Sequence, residues 1–308
     1  LVEKGVLPRT AFAESNQKIL THVQQDDGKL YVFVYNMKYT DQEDFAFTLK
    51  VQGAGKPYRI DCWNAKVEEM GCYRIEEGCT EFDVTLAPGQ AALYAIDLTA
   101  AKELHAVATT ADCVTKKDGK LVVSAAKSGA YEVTLSDGTT QTVNVTAAED
   151  IALPVWNLTV EDWNEGEKKV IVEDRGLGIV TNEVYYETKK TPLAAGETKL
   201  IPWKDIAAVG PEVSGVGYYT TTVNLPEGPA AGEGILLSIG STNTQTCAVY
   251  VNGTKAENMD MNALTMDLTE LLKPGDNEIR VEVSSSLNNR LLARGYYDRS
   301  SALSMQLA

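Results

Sequence analysis

Between Lys29 and Met37 the chain reads "KLYVFVYNM", with Leu30, Val32 and Val34 interleaved with Tyr31, Phe33 and Tyr35. Both sets are apolar. The pattern predicts a strand buried on two sides, or one lying under a neighbouring domain. Further short strands follow. "DFAFTLKV" reads as one, "YRIDCWNAKVEEM" as another with a turn, and "TEFDVTLAPGQAALYAIDL" as two more around Pro88-Gly89. Five strands separated by turn signals predict a small β-sandwich over residues 15–98. The preceding "LVEKGVLPRTAF" reads as a helix end with stop signals at Gly5 and Pro8. Residues 1–14 are therefore expected to be an exit segment from an upstream domain.

After the linker-like "TAAKEL", three strands with turns at Ser128-Gly129 and Asp137-Gly138 predict a small β linker domain over 99–149. The Asp-Gly between "YEVTL" and "TQTVNV" is a strong hairpin signal. This stretch is too short for a large core, so it is expected to lean on its neighbours. From residue 150 to 308 short alternating strands recur. Thr220, Thr222 and Asn224 alternate with Thr221, Val223 and Leu225, and Ile279, Val281 and Val283 alternate with Arg280, Glu282 and Ser284. In "CAVYVNGTKA" the Asn252-Gly253 pair supplies the positive φ angles of a two-residue hairpin turn. Val249 and Val251 should face one side of the sheet, and Ala248 and Tyr250 the other. One helical turn is expected around Leu268 to Leu272. The segment from "VEDRGLGIV" to "GPEVSG" shows few clear strands and reads as a long loop, either functional or held by packing. The predicted fold class is all-β, with tandem antiparallel β-sandwich domains.

Composition narrows the function. The net charge of −15 repels nucleic acid and anionic lipid, and no basic run exceeds short pieces such as Lys189-Lys190. No apolar run is long enough for a membrane span. The chain begins at Leu1 with no signal-like segment, so it is expected to be a fragment of a longer protein. Five cysteines at irregular spacing are not a disulfide framework, although Cys72 and Cys79 could meet across a hairpin; buried free thiols are the simpler state. Without CxxC, and with only His22 and His105, a zinc site is not supported.

No GxSxG, HExxH, P-loop or dinucleotide fingerprint occurs. Carboxylate pairs could cleave glycosides, but 43 acidic residues make such pairs unavoidable and uninformative. Glu161-Asp162-Trp163 reads as a solvated edge or a calcium contact. Binding is the better-supported chemistry. A sugar ring offers an apolar face to an aromatic side chain and a hydroxyl rim to Asn, Arg or acids. Tyr185, Tyr219 and Trp203 are candidate platforms, and Asn288, Asn289 and Arg290 candidate rim partners. One of Tyr218 and Tyr219 must point inward if their strand alternates. "LNNR" also reads as a turn whose amides cap backbone groups. Trp156 and Trp163 read as core or interdomain packing.

The ordered pieces "VSGVGYYTTTVNLPEG", "GILLSIGSTNTQTCAVYVNG" and "MDLTELLKPGDNEIRVEVSSSLNNRL" resemble galactose-binding-like jelly rolls attached to glycoside hydrolases. "DGKLYVFVYN", "RIDCWNAKVEEM" and "VTLAPGQAALYAI" are similar to the β-domain that follows the catalytic barrel in family 106 α-L-rhamnosidases; Asn64-Ala65 stands where Thr-Gly is usual. The resemblance implies the non-catalytic C-terminal accessory region of a bacterial carbohydrate-active enzyme, ending in a galactose-binding-like jelly roll. It implies an extracellular or cell-surface parent, and as partners a plant or host polysaccharide or oligosaccharide and the upstream catalytic domain. No cofactor is required. A structural calcium is compatible with such sandwiches, but no Asp/Asn run marks its ligands. Sugar binding and bracing of the catalytic domain stand side by side. A surface adhesion or scaffolding array and a free-standing glycosidase are the alternatives.

Overall fold

The structure, a computed structural model, describes residues 8–242 and 245–298. It is built almost wholly of antiparallel strands arranged as tandem sandwiches, in two units, Leu1–Asp150 and Ile151–Ala308.

In the first unit the strands are β1 (Thr10–Phe12), β2 (Ile19–Asp26), β3 (Lys29–Asn36), β4 (Phe45–Gln52), β5 (Lys56–Asp61), β6 (Lys66–Met70), β7 (Arg74–Glu76), β8 (Cys79–Leu86), β9 (Ala91–Asp97), β10 (Ala106–Thr109), β11 (Cys113–Lys117), β12 (Lys120–Ser124), β13 (Gly129–Leu135) and β14 (Thr140–Val145). A sheet ordered β1-β4-β8-β7 faces a seven-stranded sheet ordered β12-β11-β6-β5-β9-β3-β2. Leu30, Val32, Val34, Tyr94 and Ile96 meet Leu49, Val51, Phe82, Val84 and Leu86 between them. Alternation explains the choice, because each strand can turn only every second side chain inward. Asn36 is buried at the end of β3. Its amide nitrogen donates to the carbonyls of Leu86 (3.2 Å) and Ala87 (3.1 Å), so no polar group is stranded there.

Two expectations change. Thr10–Phe12 is an edge strand on β4 rather than the end of a helix; residues 1–7 lie outside the described residues. β3 hides Leu30, Val32, Val34 and Asn36. Phe33 is 39% exposed and Tyr31 and Tyr35 are half-buried, so this strand has one buried face rather than two. In the stretch 99–149 the strands divide between two sheets. The β11–β12 hairpin extends the large sheet by pairing β11 with β6, while β10, β13 and β14 make a separate three-stranded sheet. A small cluster of Ala106, Val114, Val133 and Leu135 joins them. The Asp137-Gly138 hairpin forms between β13 and β14, with Gly138 at φ 85°.

A charge network ties this extension to the sandwich. Glu69 on β6 binds Lys56 of β5 at 2.8 Å and Lys116 of β11 at 3.1 Å. Glu103 bridges the same two lysines, 3.1 Å from Lys56. All five cysteines are free, including Cys72 and Cys79; burial pushes the Cys72 thiol up to about 11.

The second unit contains β15 (Trp156–Asp174), β16 (Val180–Thr198), β17 (Gly215–Leu225), β18 (Leu236–Ser238), β19 (Thr246–Val251), β20 (Thr254–Lys255), β21 (Thr265–Asp267), β22 (Gly275–Ser284) and the short helix α1 (Asn288–Ala293). A six-stranded sheet ordered β16-β15-β17-β22-β19-β20 and the pair β18-β21 enclose a core of Trp156, Leu158, Val160, Val249, Val251, Met266, Leu268, Ile279 and Val281. The Asn252-Gly253 turn has φ values of 51° and 83°, and Val249 and Val251 point inward as their alternation requires. The expected helical turn is a 3-10 turn at Thr269–Leu271. "SALSMQLA" at the end of the chain falls outside the described residues.

The supposed long loop, residues 172–215, contains the end of β15 and the whole of β16, which pair as a long hairpin. Its alternation was hidden twice. Val170, Ile171 and Val172 are consecutive and all exposed, and an extra residue on β15 between Glu165 and Lys168 shifts the phase.

Glu69 offers a test of the charge network. Burial pushes its carboxyl upward, but hydrogen bonds and charge from Lys56 and Lys116 outweigh this and hold it below the usual carboxylate range. A depressed carboxylate stabilises fully above its unfolded value, about 4.3, and that contribution is lost as pH falls through the folded value. Glu69→Gln should therefore lower stability by about 1–3 kcal/mol at pH 7 and flatten the acid limb of the stability profile below about pH 4.5. Urea unfolding at several pH values measures both.

Candidate functional site

The six sequence-derived candidates fall in three places. Trp203 and Tyr219 are core residues, 9% and 7% exposed. The indole N–H of Trp203 donates to the Tyr219 hydroxyl at 2.7 Å, and the indole ring lies so close over Gly217 that an added Cβ would meet it at 2.6 Å. Neither ring offers a face to a ligand. Tyr185 stands apart on the outer half of the β15–β16 hairpin, 44% exposed.

Asn288, Asn289 and Arg290 lie together in α1, a single short helix rather than the expected turn. Each is engaged in holding that helix. The Asn289 amide donates to the Val213 carbonyl (3.1 Å), and the Tyr297 hydroxyl donates to Asn288 Oδ1 (2.9 Å). Arg290 donates to Asp162 Oδ1 at 2.6 Å, while the amide of Asn164 donates to Asp162 Oδ2 at 2.7 Å. Arg294 forms a second ion pair with Glu165. The "EDW" acids thus serve as anchors for α1 and, through Glu161, as a support for an outer aromatic cluster. Among the described residues, no group of three or more His, Cys, Asp or Glu side chains is placed to hold a metal ion.

That outer cluster was reachable by strict alternation. Val223 and Leu225 set the inward phase of β17, which places Tyr219 inside and Tyr218 outside. Tyr218 shares the solvent-facing side of the sheet with Glu282 and, in the adjoining row, Thr220, Arg280 and Tyr250. The Arg280 guanidinium lies over the Tyr250 ring at 4.2 Å and reaches Glu282 at 3.1 Å. Toward β16, Glu161 accepts from the Trp163 indole (2.7 Å) and from Lys190 (3.0 Å), and Lys190 sits over the Trp163 ring at 5.1 Å. The hydrogen bonds from Trp163 and Lys190 hold the Glu161 carboxyl below its usual range. Burial, with Glu161 and Glu282 nearby, pushes the Tyr218 hydroxyl up.

The larger surface feature belongs to the first unit. Register places Leu20, Tyr31, Phe33, Tyr35, Tyr58, Ile60, Val67 and Leu93 on the outward side of the seven-stranded sheet. The row Val67–Ile60–Leu93–Phe33–His22 crosses five strands without an Asp, Glu, Lys or Arg. Val67 is 65% exposed and Leu20 50%. The neighbouring positions on this side carry Lys56, Glu69 and Lys116, paired with one another, so the apolar part is a patch around Leu20, Phe33, Val67 and Leu93; an exposed apolar patch with a polar border is the kind of surface that marks an interaction site. The groove over β4 and β8 is different. Of its charged groups, Lys18 pairs with Asp41 (2.8 Å) and Asp83 accepts from Thr48 (2.6 Å), with Glu14 and Lys38 also on its wall.

No family profile matches the chain, and no curated protein matches it. Among solved structures it is similar to the rhamnosidase from Novosphingobium sp. PP1Y, with a TM-score of 0.58 and 16% sequence identity. The match covers 94% of this chain and 22% of that one, so the chain spans about a fifth of the length of the enzyme it resembles. The similarity shows a shared fold.

The α1 anchor gives a direct test. Arg290→Ala strands the half-buried Asp162 carboxylate. It should cost about 1–3 kcal/mol of stability in the second unit. Hydrogen exchange over residues 286–298 should speed up, while β3 and β9 are unaffected.

Proposed function

We propose that this chain is a non-catalytic accessory region of a larger glycoside hydrolase related to rhamnosidases, and that it braces the catalytic domain of that enzyme. One observation carries the bracing role: the exposed apolar patch around Leu20, Phe33 and Val67 on the outer face of the first unit. A two-layer sandwich has no internal use for a second apolar face on the same sheet. Leaving Phe33, Val67 and Leu20 in water forgoes about 25 cal/mol for each Å² that a partner would cover. The similarity to a rhamnosidase, over a fifth of that enzyme's length, supports reading the partner as a catalytic domain of the same polypeptide. The second unit is read as a galactose-binding-like jelly roll, a reading supported by its ordered motifs and by the Asn252-Gly253 hairpin joining β19 to β20. The parent enzyme is placed outside the cell or at its surface, acting on plant or host polysaccharides or oligosaccharides.

The test compares Phe33→Asp in two contexts. In the isolated 308-residue chain Phe33 is on the surface, and the melting temperature should stay within about 1–2 °C of wild type. In the longer polypeptide the same change should weaken the domain interface by about 2–4 kcal/mol and lower the thermal inactivation temperature of the glycosidase. Equal, negligible effects in both contexts would contradict the bracing role.

A second reading has its own observation. Trp163, Tyr218 and Tyr250, with Glu161, Arg280 and Glu282 between them, form a mixed aromatic and charged strip on the outer face of the second unit, chemistry suited to sugar rings. A glycan array followed by calorimetry with rhamnose-, galactose- and pectin-type sugars tests it. Binding tighter than about 1 mM that Tyr218→Ala weakens at least ~10-fold supports the strip as a sugar site. Absence of such binding leaves bracing alone.

A further inference from the structure

Beyond Asp162, β15 no longer pairs with β17, and the outer parts of β15 and β16 pair only with each other. The cross-strand pairs Lys168–Tyr186, Val170–Val184, Val172–Asn182 and Asp174–Val180 alternate with Lys169–Tyr185, Ile171–Glu183 and Glu173–Thr181. Paired residues share a side of a ribbon, so its two faces differ. One carries Lys169, Glu173 and Glu183 beside Ile171, Thr181 and Tyr185, with Lys169 bound to Glu167 at 2.8 Å and to Glu187 at 3.6 Å. The other carries Val170, Val172, Val180, Val184 and Tyr186, each at least half exposed, and its only charges are Lys168 at the inner end and Asp174 at the tip. Three charges interrupt the first face, whereas the second keeps four uncovered valines and a tyrosine between one charge at each end, the pattern of a face that lies against something.

We propose that this face is a self-association surface, and that a second copy of this chain covers it in a two-fold arrangement. The placement of the two charges selects the partner. If a second ribbon is laid face to face and reversed in direction, β15 runs over β15 of its partner about the midpoint at Ile171. Lys168 then meets Asp174 of the other copy, twice by symmetry. Val170 meets Val172, and Tyr186 meets Val180. Laying the ribbons in the same direction instead sets Lys168 over Tyr186 and Asp174 over Val180, leaving both charges against apolar groups. The face matches its own reverse, as an isologous interface requires.

Size sets the strength. Seven residues at about 3.4 Å each make a face roughly 24 Å long and two strands wide. Two copies would bury on the order of 1,000 Å² in total, at the low end for specific interfaces. The dimer should therefore be weak, with a dissociation constant in the micromolar range or above, and concentration-dependent. This proposal is independent of the bracing role and can fail without it.

Sedimentation equilibrium of the 308-residue chain from about 1 µM to about 500 µM reads the association directly. The expected result is a reversible monomer–dimer equilibrium. Lys168→Glu alone and Asp174→Lys alone should each weaken it at least ~10-fold, and the double exchange K168E/D174K should restore it to within about 3-fold of wild type. Val170→Asp should leave a monomer throughout, whereas Glu183→Lys on the opposite face should change nothing. All four positions are solvent-exposed, and unchanged circular dichroism and melting confirm that the variants fold. A wild-type monomer at every concentration would overturn the proposal. So would a dimer that survives Val170→Asp, or single charge variants that the double exchange fails to rescue.

Discussion

A β-sandwich hides one face of each sheet, and the other face must live with whatever lies outside. In the first unit that constraint is under tension. The inward residues of β3 and β9, among them Leu30, Val32, Val34 and Ile96, fill the space opposite Leu49, Val51, Phe82 and Leu86. The outward residues of the same strands are nearly as apolar. Tyr31, Phe33, Tyr35 and Leu93 cannot join that core without flipping the register and expelling the first set. The choice of which set goes inside therefore also decides what the protein shows to its surroundings: an aromatic patch bordered by the Lys56–Glu69–Lys116 network.

The second unit meets the same constraint with different side chains. Its outward positions on β17, β19 and β22 are Tyr218, Thr220, Tyr250, Arg280 and Glu282, where cations lie over rings and acids neutralise them. Polar interactions also hold its corners. Asn277 is fully buried; its amide nitrogen donates to the Lys273 and Gly275 carbonyls (2.8 and 3.1 Å), and its oxygen accepts from Lys273 N and from the Asn252 side chain (3.0 and 2.9 Å). The turn asparagine of one hairpin and the asparagine at the start of β22 thus close a single network, and Glu278 N donates back to Asn252 at 3.1 Å. This explains physically why "VNG" and "KPGDN" occur together: each asparagine satisfies groups that the other's turn leaves bare.

Much of this was legible in the sequence where alternation was strict and turns were explicit. β13–β14, β17, β19–β20 and β22 follow from period-two patterns and from Asp-Gly or Asn-Gly pairs. The β15–β16 ribbon was not legible, because a bulge between Glu165 and Lys168 and the run Val170-Ile171-Val172 erase the period that a one-sided strand would show. The two-faced apolar character of β3 was read correctly from residues 30–35, but the sequence could not tell a second buried face from an exposed one. The proposed sugar ligands illustrate the other limit. Residue type suggested Trp203, Tyr219 and Arg290 as ligand groups; packing gave all three internal partners, in Tyr219, Trp203 and Asp162 respectively. Residue chemistry nominates groups, and only three-dimensional placement shows whether those groups are still free.

The proposed bracing role requires the aromatic patch of the first unit to be covered in a longer polypeptide. Side-chain footprinting with hydroxyl radicals, comparing the 308-residue chain with the longer polypeptide, reads that directly at Tyr31, Phe33, Tyr35 and Tyr58. The account predicts that these rings are modified readily in the short chain and protected several-fold in the long one, with the exposed Trp63 in the β5–β6 turn as an internal reference. Equal modification of the four rings in both proteins would contradict it.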